Sequence, residues 1–192
     1  QSDIRAFNSR YRYTTKDNHT SWHNVTGSTV IAAHEGKAPQ EIVIIAHLDT
    51  YAPQSDIDVE KNLGGLTLQG IDDNAAGLGV MLELADALKS VPTAYGIRFV
   101  ATSGEEEGQL GTENYLARLG AAEKKNILLT INLDSLILGD KLVFSSGKNT
   151  PASVRKLTRD RAIAIARHHG IQTISRAGIN HGDATVFDNA DI

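Results

Sequence analysis

The run EIVIIAH, residues 41–47, restricts the fold more than any other stretch of this chain. Its apolar residues are consecutive and mostly β-branched, so it has no polar face to offer water. A short run of this kind is a strand covered on both sides. Residues 96–103 and 127–134 (GIRFVATS, ILLTINLD) have the same character. Helical periodicity separates these runs. Residues 75–90 repeat Leu78, Leu82, Ala85 and Leu88, and residues 152–169 repeat Val154, Leu157, Ile163 and Ile165. Residues 113–119 form a shorter helix with Thr112 as its expected cap. Gly77 and Gly79 each cost a helix about 1 kcal/mol and point to close backbone packing near its start.

Residues 5–14 and 24–33 read as two further strands, expected to run antiparallel to each other and to 41–47 in succession. Residues 141–145 suit an edge strand, and 49–70 a long loop of the kind that carries function. The expected fold class is α/β, a mixed and mostly parallel central sheet with helices on both faces.

A length of 192 residues suits one domain with a substantial core. A net charge of −4 gives no electrostatic case for nucleic acid or anionic membrane as partner. No apolar run reaches the roughly 18 residues of a spanning helix. The chain has no cysteine, so a metal would have to be held by His, Asp and Glu.

Acidic residues mark the strand ends. The run 41–47 leads into His47 and Asp49, 96–103 into Glu105, Glu106 and Glu107, and 127–134 into Asp134. Asp72 and Asp73 stand just ahead of a helix. In open α/β sheets, ligands bind beyond the carboxyl ends of the strands. Each acid alone has an ordinary reading as a cap, a turn or a solvated loop. Together they would crowd one rim and raise one another's pKa values unless a cation sat among them. Oxygen and nitrogen donors without sulfur suit zinc, manganese or cobalt, and two ions bridged by one carboxylate would use this many acids.

In this order and spacing, AHLDT, GIDDNAAG, SGEEEGQLGT and INLD resemble the co-catalytic zinc aminopeptidases of metallopeptidase family 28. Within that family the chain is most similar to the bacterial alkaline phosphatase isozyme conversion aminopeptidases. The resemblance implies a zinc exopeptidase fold of the phosphorylase/hydrolase-like kind over residues 1–192. It implies a two-zinc site with His47 and Asp134 on one ion, Glu106 on the other and Asp73 bridging. Glu105 resembles the general base, and Asp49 the acid that orients the histidine; Glu107 falls in a variable, solvated position. A cis peptide between Asp73 and Asn74 is implied as well.

The resemblance also implies a fifth ligand, a histidine beyond Ile192, together with a last strand and helix. The chain therefore reads as a single catalytic domain that is incomplete at its C-terminus, with a weak second zinc and reduced or absent turnover. GDATVFD matches the family's Asp-x-x-x-Phe turn at Asp183 and Phe187, and the nearby His181 is given no ligand role. The implied substrates are peptide or protein N-termini. The implied location is periplasmic or secreted, with an export signal preceding Gln1. Another two-zinc amide hydrolase, such as a carboxypeptidase or deacylase, or a silent relative that binds metal or peptide only, are the alternatives. Asp56, Asp58 and Glu60 in residues 54–60 are either a solvated run or an acidic pocket for a basic side chain.

Overall fold

The computed structural model describes residues 2–64, 70–178 and 182–192. β1 (Ser2–Thr14) and β2 (Thr20–His34) form a long antiparallel hairpin, and β3 (Ala38–His47) follows. A short helix, α1 (Asp56–Glu60), interrupts the segment expected as loop. An irregular turn, Ile71–Ala76, then feeds α2 (Gly77–Leu88). β4 (Tyr95–Thr102), α3 (Leu110–Ala117), α4 (Ala121–Asn126) and β5 (Ile127–Asn132) complete the central layer. β6 (Leu142–Ser146), α5 (Ala152–Arg155), α6 (Arg161–His168), β7 (Thr173–Ala177) and α7 (Asp183–Asn189) come last. A wider helical turn, Lys156–Asp160, joins α5 to α6 within the one long helix expected there.

The main sheet has the order β1-β2-β4-β3-β5. β3 pairs parallel with both β4 and β5, while β2 runs antiparallel to β4 and to β1. Only β2 therefore opposes the common strand direction. The expected succession of three antiparallel strands is wrong at its second step, because β4 inserts between β2 and β3. The reason lies in the patterning. β3 has no polar face and needs a strand at each edge and a layer on each side, whereas β2 is largely exposed towards the hairpin tip. β6 and β7 form a separate parallel pair.

Alternation along β3 divides the core in two. Val43 and Ile45 pack with Ile31, Val100, Tyr115, Leu116, Val186 and Phe187, so α3 and α7 cover this face. Ile44 and Ala46 pack with Met81, Ile97, Phe99 and Ala101 under α2 on the other. Burying each such large side chain contributes about 1.5–3 kcal/mol. The same alternation puts His47 and Thr102, both fully buried, on the α3 and α7 face.

Two local expectations change. Thr112 does not cap α3, whose N-cap is Gln109; Thr112 is fully buried inside the helix and donates its hydroxyl to Asp183 of α7 at 2.6 Å. Close packing holds at Gly77, where a Cβ would lie 2.3 Å from Asn74 Oδ1 and 2.5 Å from the Leu133 carbonyl. It does not hold at Gly79, where a Cβ would meet nothing within 4 Å.

Candidate metal centre

The shared direction of β3, β4 and β5 brings their carboxyl ends to one rim. Two hydrogen bonds continue the ladders past the strand ends, from Leu48 N to Thr102 O at 2.6 Å and from Leu133 N to Ile45 O at 2.9 Å. His47 is the last residue of β3, and Asp134 lies two residues past β5. Asp73 arrives from the turn ahead of α2, with a cis peptide joining it to Asn74. Asn74 is buried and donates Nδ2 to the Leu133 carbonyl at 2.8 Å, which fastens this turn to the end of β5. Asp72 holds the chain beyond β5, accepting from the amides of Ile137 and Leu138 at 2.7 and 3.0 Å.

His47 is the centre of the group. Its Nε2 lies 2.8 Å from Asp73 Oδ1, 3.8 Å from Asp134 Oδ1 and 4.0 Å from Glu105 Oε2. Ligand atoms of His47, Asp73 and Glu106 all fall within 4.8 Å of one another. All five residues expected to bind metal or transfer the proton are thus brought together.

Asp49 does more than was expected of it. Its main-chain carbonyl sits 2.9 Å from His47 Nδ1, while its carboxylate is 3.5 Å away. That carboxylate instead accepts the amides of Glu105 at 3.2 Å and Glu106 at 3.1 Å. Asp49 therefore orients the imidazole through its backbone and the two glutamates through its side chain. With Nδ1 engaged by that carbonyl, Nε2 is the ring nitrogen left to face the carboxylates.

The glutamate turn is tight. Gly104 (φ +78) and Gly108 (φ +104) bracket it in a backbone region that favours glycine. The Glu105 carbonyl accepts from the amides of Gly108 and Gln109 at 3.0 and 2.9 Å. Glu105 is buried, and Gln109 Nε2 donates to its Oε1 at 3.3 Å. Glu107, expected to be solvated, is half-buried.

The electrostatics record the crowding. Burial first, then the charges of Asp73 and Glu105, push Glu106 up to about 7. Burial likewise raises Glu105, and burial with the Asp134 charge raises Asp73. Burial also opposes ionisation of Asp134 and Asp49, but their hydrogen bonds outweigh it and hold both below the usual range. Burial pulls His47 down, yet Asp134 and Asp49 carry it to about 11. Among the described residues, the His47 imidazole is the one group here that carries positive charge when protonated. One imidazole and several carboxylates, without sulfur, form a donor set suited to zinc or a similar hard-to-borderline divalent ion.

The other acids of the loop are already engaged. Asp56 accepts from Tyr13 Oη and the Lys16 amide, Asp58 from Tyr51 Oη and the Gln54 amide, and Glu60 pairs with Lys16. His168 and His169 are exposed, and His181 lies outside the described residues. Sequence reasoning gave no role to Gln54, whose Nε2 donates to the Glu106 carbonyl at 2.6 Å. Asp183, noted only as a pattern match, is fully buried beneath the site, and burial pushes it up to about 7.

The family model of peptidase family M28 matches residues 29–192. The alkaline phosphatase isozyme conversion protein of Escherichia coli (strain K12) is 69% identical over 201 residues, covering 100% of this chain and 58% of that protein. Aminopeptidase YwaD of Bacillus subtilis (strain 168) is 46% identical over 65 residues, 34% of this chain and 14% of that protein. Among solved structures, BSAP, a zinc aminopeptidase from Bacillus subtilis, superposes with a TM-score of 0.70 at 25% identity, over 90% of this chain and 40% of its own. An Acidobacteriales bacterium glutaminyl cyclase gives a TM-score of 0.70 at 19% identity over 97% of this chain and 61% of its own, a likeness of fold alone. The chain spans 58% of the length of the Escherichia coli relative.

Proposed function

The chain belongs to peptidase family M28, and from this premise we propose that it is the catalytic domain of a zinc aminopeptidase that removes N-terminal residues from peptides or proteins. The observation that carries the reading is the meeting of His47, Asp73 and Glu106 ligand atoms within 4.8 Å at the ends of parallel strands. His47 and Asp134 would hold one zinc, Glu106 the other, and Asp73 would bridge them. Bound zinc supplies a water of pKa near 7 and polarises the scissile carbonyl.

The chain's own residues do the rest. Glu105 is buried and raised, which suits a carboxylate that takes a proton from the attacking water and passes it to the leaving amine. Asp49 fixes the Glu105 and Glu106 amides and the His47 ring, so base and ligands keep one geometry. The surplus of carboxylate at the rim complements the protonated amine of a free N-terminus. Among the described residues His47 is the only histidine in this group. The reading includes a periplasmic or secreted location. No helix of the described residues is long and apolar enough to cross a membrane.

The test is hydrolysis of an aminoacyl anilide with a free amine beside the same compound N-acylated. Zinc-dependent cleavage of the first alone supports the reading. Cleavage of both, or cleavage unaffected by a chelator, speaks for another hydrolase chemistry.

A further inference from the structure

The glutamate turn is gripped from two directions, and only one grip comes from the carboxylate group itself. Asp49 takes the amides of Glu105 and Glu106. The Glu105 carbonyl is satisfied inside the turn, by Gly108 and Gln109. The Glu106 carbonyl instead accepts from Gln54, a residue 52 positions earlier, at 2.6 Å.

Gln54 is itself held at both ends of its backbone. Its amide donates to Asp58 Oδ2 at 2.9 Å, and its carbonyl accepts from the Thr14 amide at 3.0 Å. Asp58 is fixed in turn by Tyr51 Oη at 2.8 Å. The tip of the β1–β2 hairpin braces the same segment through Tyr13 Oη on Asp56 at 2.9 Å and through Lys16 on Glu60. A glutamine on a loose loop would lose several rotatable bonds of entropy to reach one carbonyl. Here the backbone of Gln54 is already fixed on both sides, so the backbone share of that cost is met before the contact forms.

We infer that Gln54 is a positioning residue for the metal centre, which locks the Glu106 peptide so that the Glu106 carboxylate stays aimed at the His47–Asp73 pair despite its like-charged neighbours. The need is visible in the crowding. Glu106 sits near Asp73 and Glu105, and its amide is held by Asp49 while its carbonyl is held by Gln54. A fixed carbonyl on one side of Glu106 and a fixed amide on the other leave only the side-chain torsions free. The hairpin tip, remote from the chemistry, is the outer anchor of this brace. The inference rests on the reading of Glu106 as a zinc ligand.

Zinc affinity, measured by competition with a chelator on the full chain, tests it. Gln54→Ala removes the donor, and Gln54→Glu keeps the size while placing an acceptor against the carbonyl. Both are expected to weaken zinc binding by about tenfold, the lower end of losses when a ligand's supporting partner is removed. The melting temperature of the metal-free protein should stay within about 2 °C, since the backbone bonds of residue 54 remain. Wild-type zinc affinity in both variants overturns the inference. So does a weakening matched by a large fall in the metal-free melting temperature, which would make Gln54 a structural residue only. Glu106→Gln run alongside separates the two levels. If it weakens zinc while the Gln54 variants do not, the metal reading stands and the brace fails; if it too binds as wild type, both fail.

Discussion

His47 and Asp73 meet at 2.8 Å, Nε2 to Oδ1, from opposite ends of a 26-residue separation. The contact joins the end of the central strand to the turn ahead of α2, and on the proposed reading it is where zinc replaces a proton. Among the described residues, His47→Ala removes the group's only nitrogen ligand. Zinc affinity is expected to fall by more than about 100-fold, beyond the loss from an outer partner. A chelator-competition titration measures it, and an affinity within tenfold of wild type would remove His47 from the ligand set.

Asp49 offers a test of orientation without replacing a proposed ligand. Its two carboxylate oxygens each receive one amide of the glutamate turn. Asn at this position keeps one acceptor and turns a donor towards the other amide. Turnover of Asp49→Asn is expected to drop roughly 10- to 100-fold, with the overall fold retained. Kinetics on a free-amine anilide check this, with circular dichroism to confirm folding.

Asp183 sets a pH dependence. It is fully buried, and burial raises it from 3.8 to about 7 even though Thr112 donates to it at 2.6 Å. An acid with a raised folded value binds its proton more tightly folded than unfolded. Its contribution to stability is therefore present below about pH 4 and is lost as pH rises through 7. Asp183→Asn keeps an acceptor for Thr112 and removes the ionisation. In metal-free protein, the variant should gain on wild type between pH 4 and 7, by up to about 4 kcal/mol. Denaturant melts at several pH values test it; a constant difference would show that Asp183 does not titrate there.

Two glycines of α2 make a paired prediction. A Cβ at Gly77 would strike Asn74 Oδ1 and the Leu133 carbonyl, and one at Gly79 would meet nothing. Gly77→Ala is expected to destabilise by about 1–3 kcal/mol and to disturb the Asp73 turn. Gly79→Ala is expected to be neutral or to stabilise by up to about 1 kcal/mol. Equal effects in urea melts would contradict the packing described at Gly77.

The parts legible in the sequence are those with a local cause. The apolar runs that become β3, β4 and β5 have a length and a β-branched content that only covered strands use. Parallel strands share a direction, so acids after each run had to arrive at one rim, and His47, Glu105, Glu106 and Asp134 do. What was hidden depends on partners far along the chain. Strand order is not written in periodicity, so the insertion of β4 beside β2 gave no signal. β7 is largely exposed and α4 is AAEKKN, too polar and short to show an apolar face. Thr112 looked like a cap because its partner, Asp183, lies 71 residues away. Gln54 sat in an irregular polar loop, and only the docking of that loop on the hairpin tip gives it the Glu106 carbonyl.

Glu105 decides the central claim, that these strand-end carboxylates hold zinc while one of them moves the proton. Zinc content and turnover should be measured together on Glu105→Gln, with a free-amine anilide as substrate. Zinc content equal to wild type with turnover reduced by about 10²- to 10⁴-fold is the expected result. Turnover within tenfold of wild type, or loss of zinc along with activity, would contradict it.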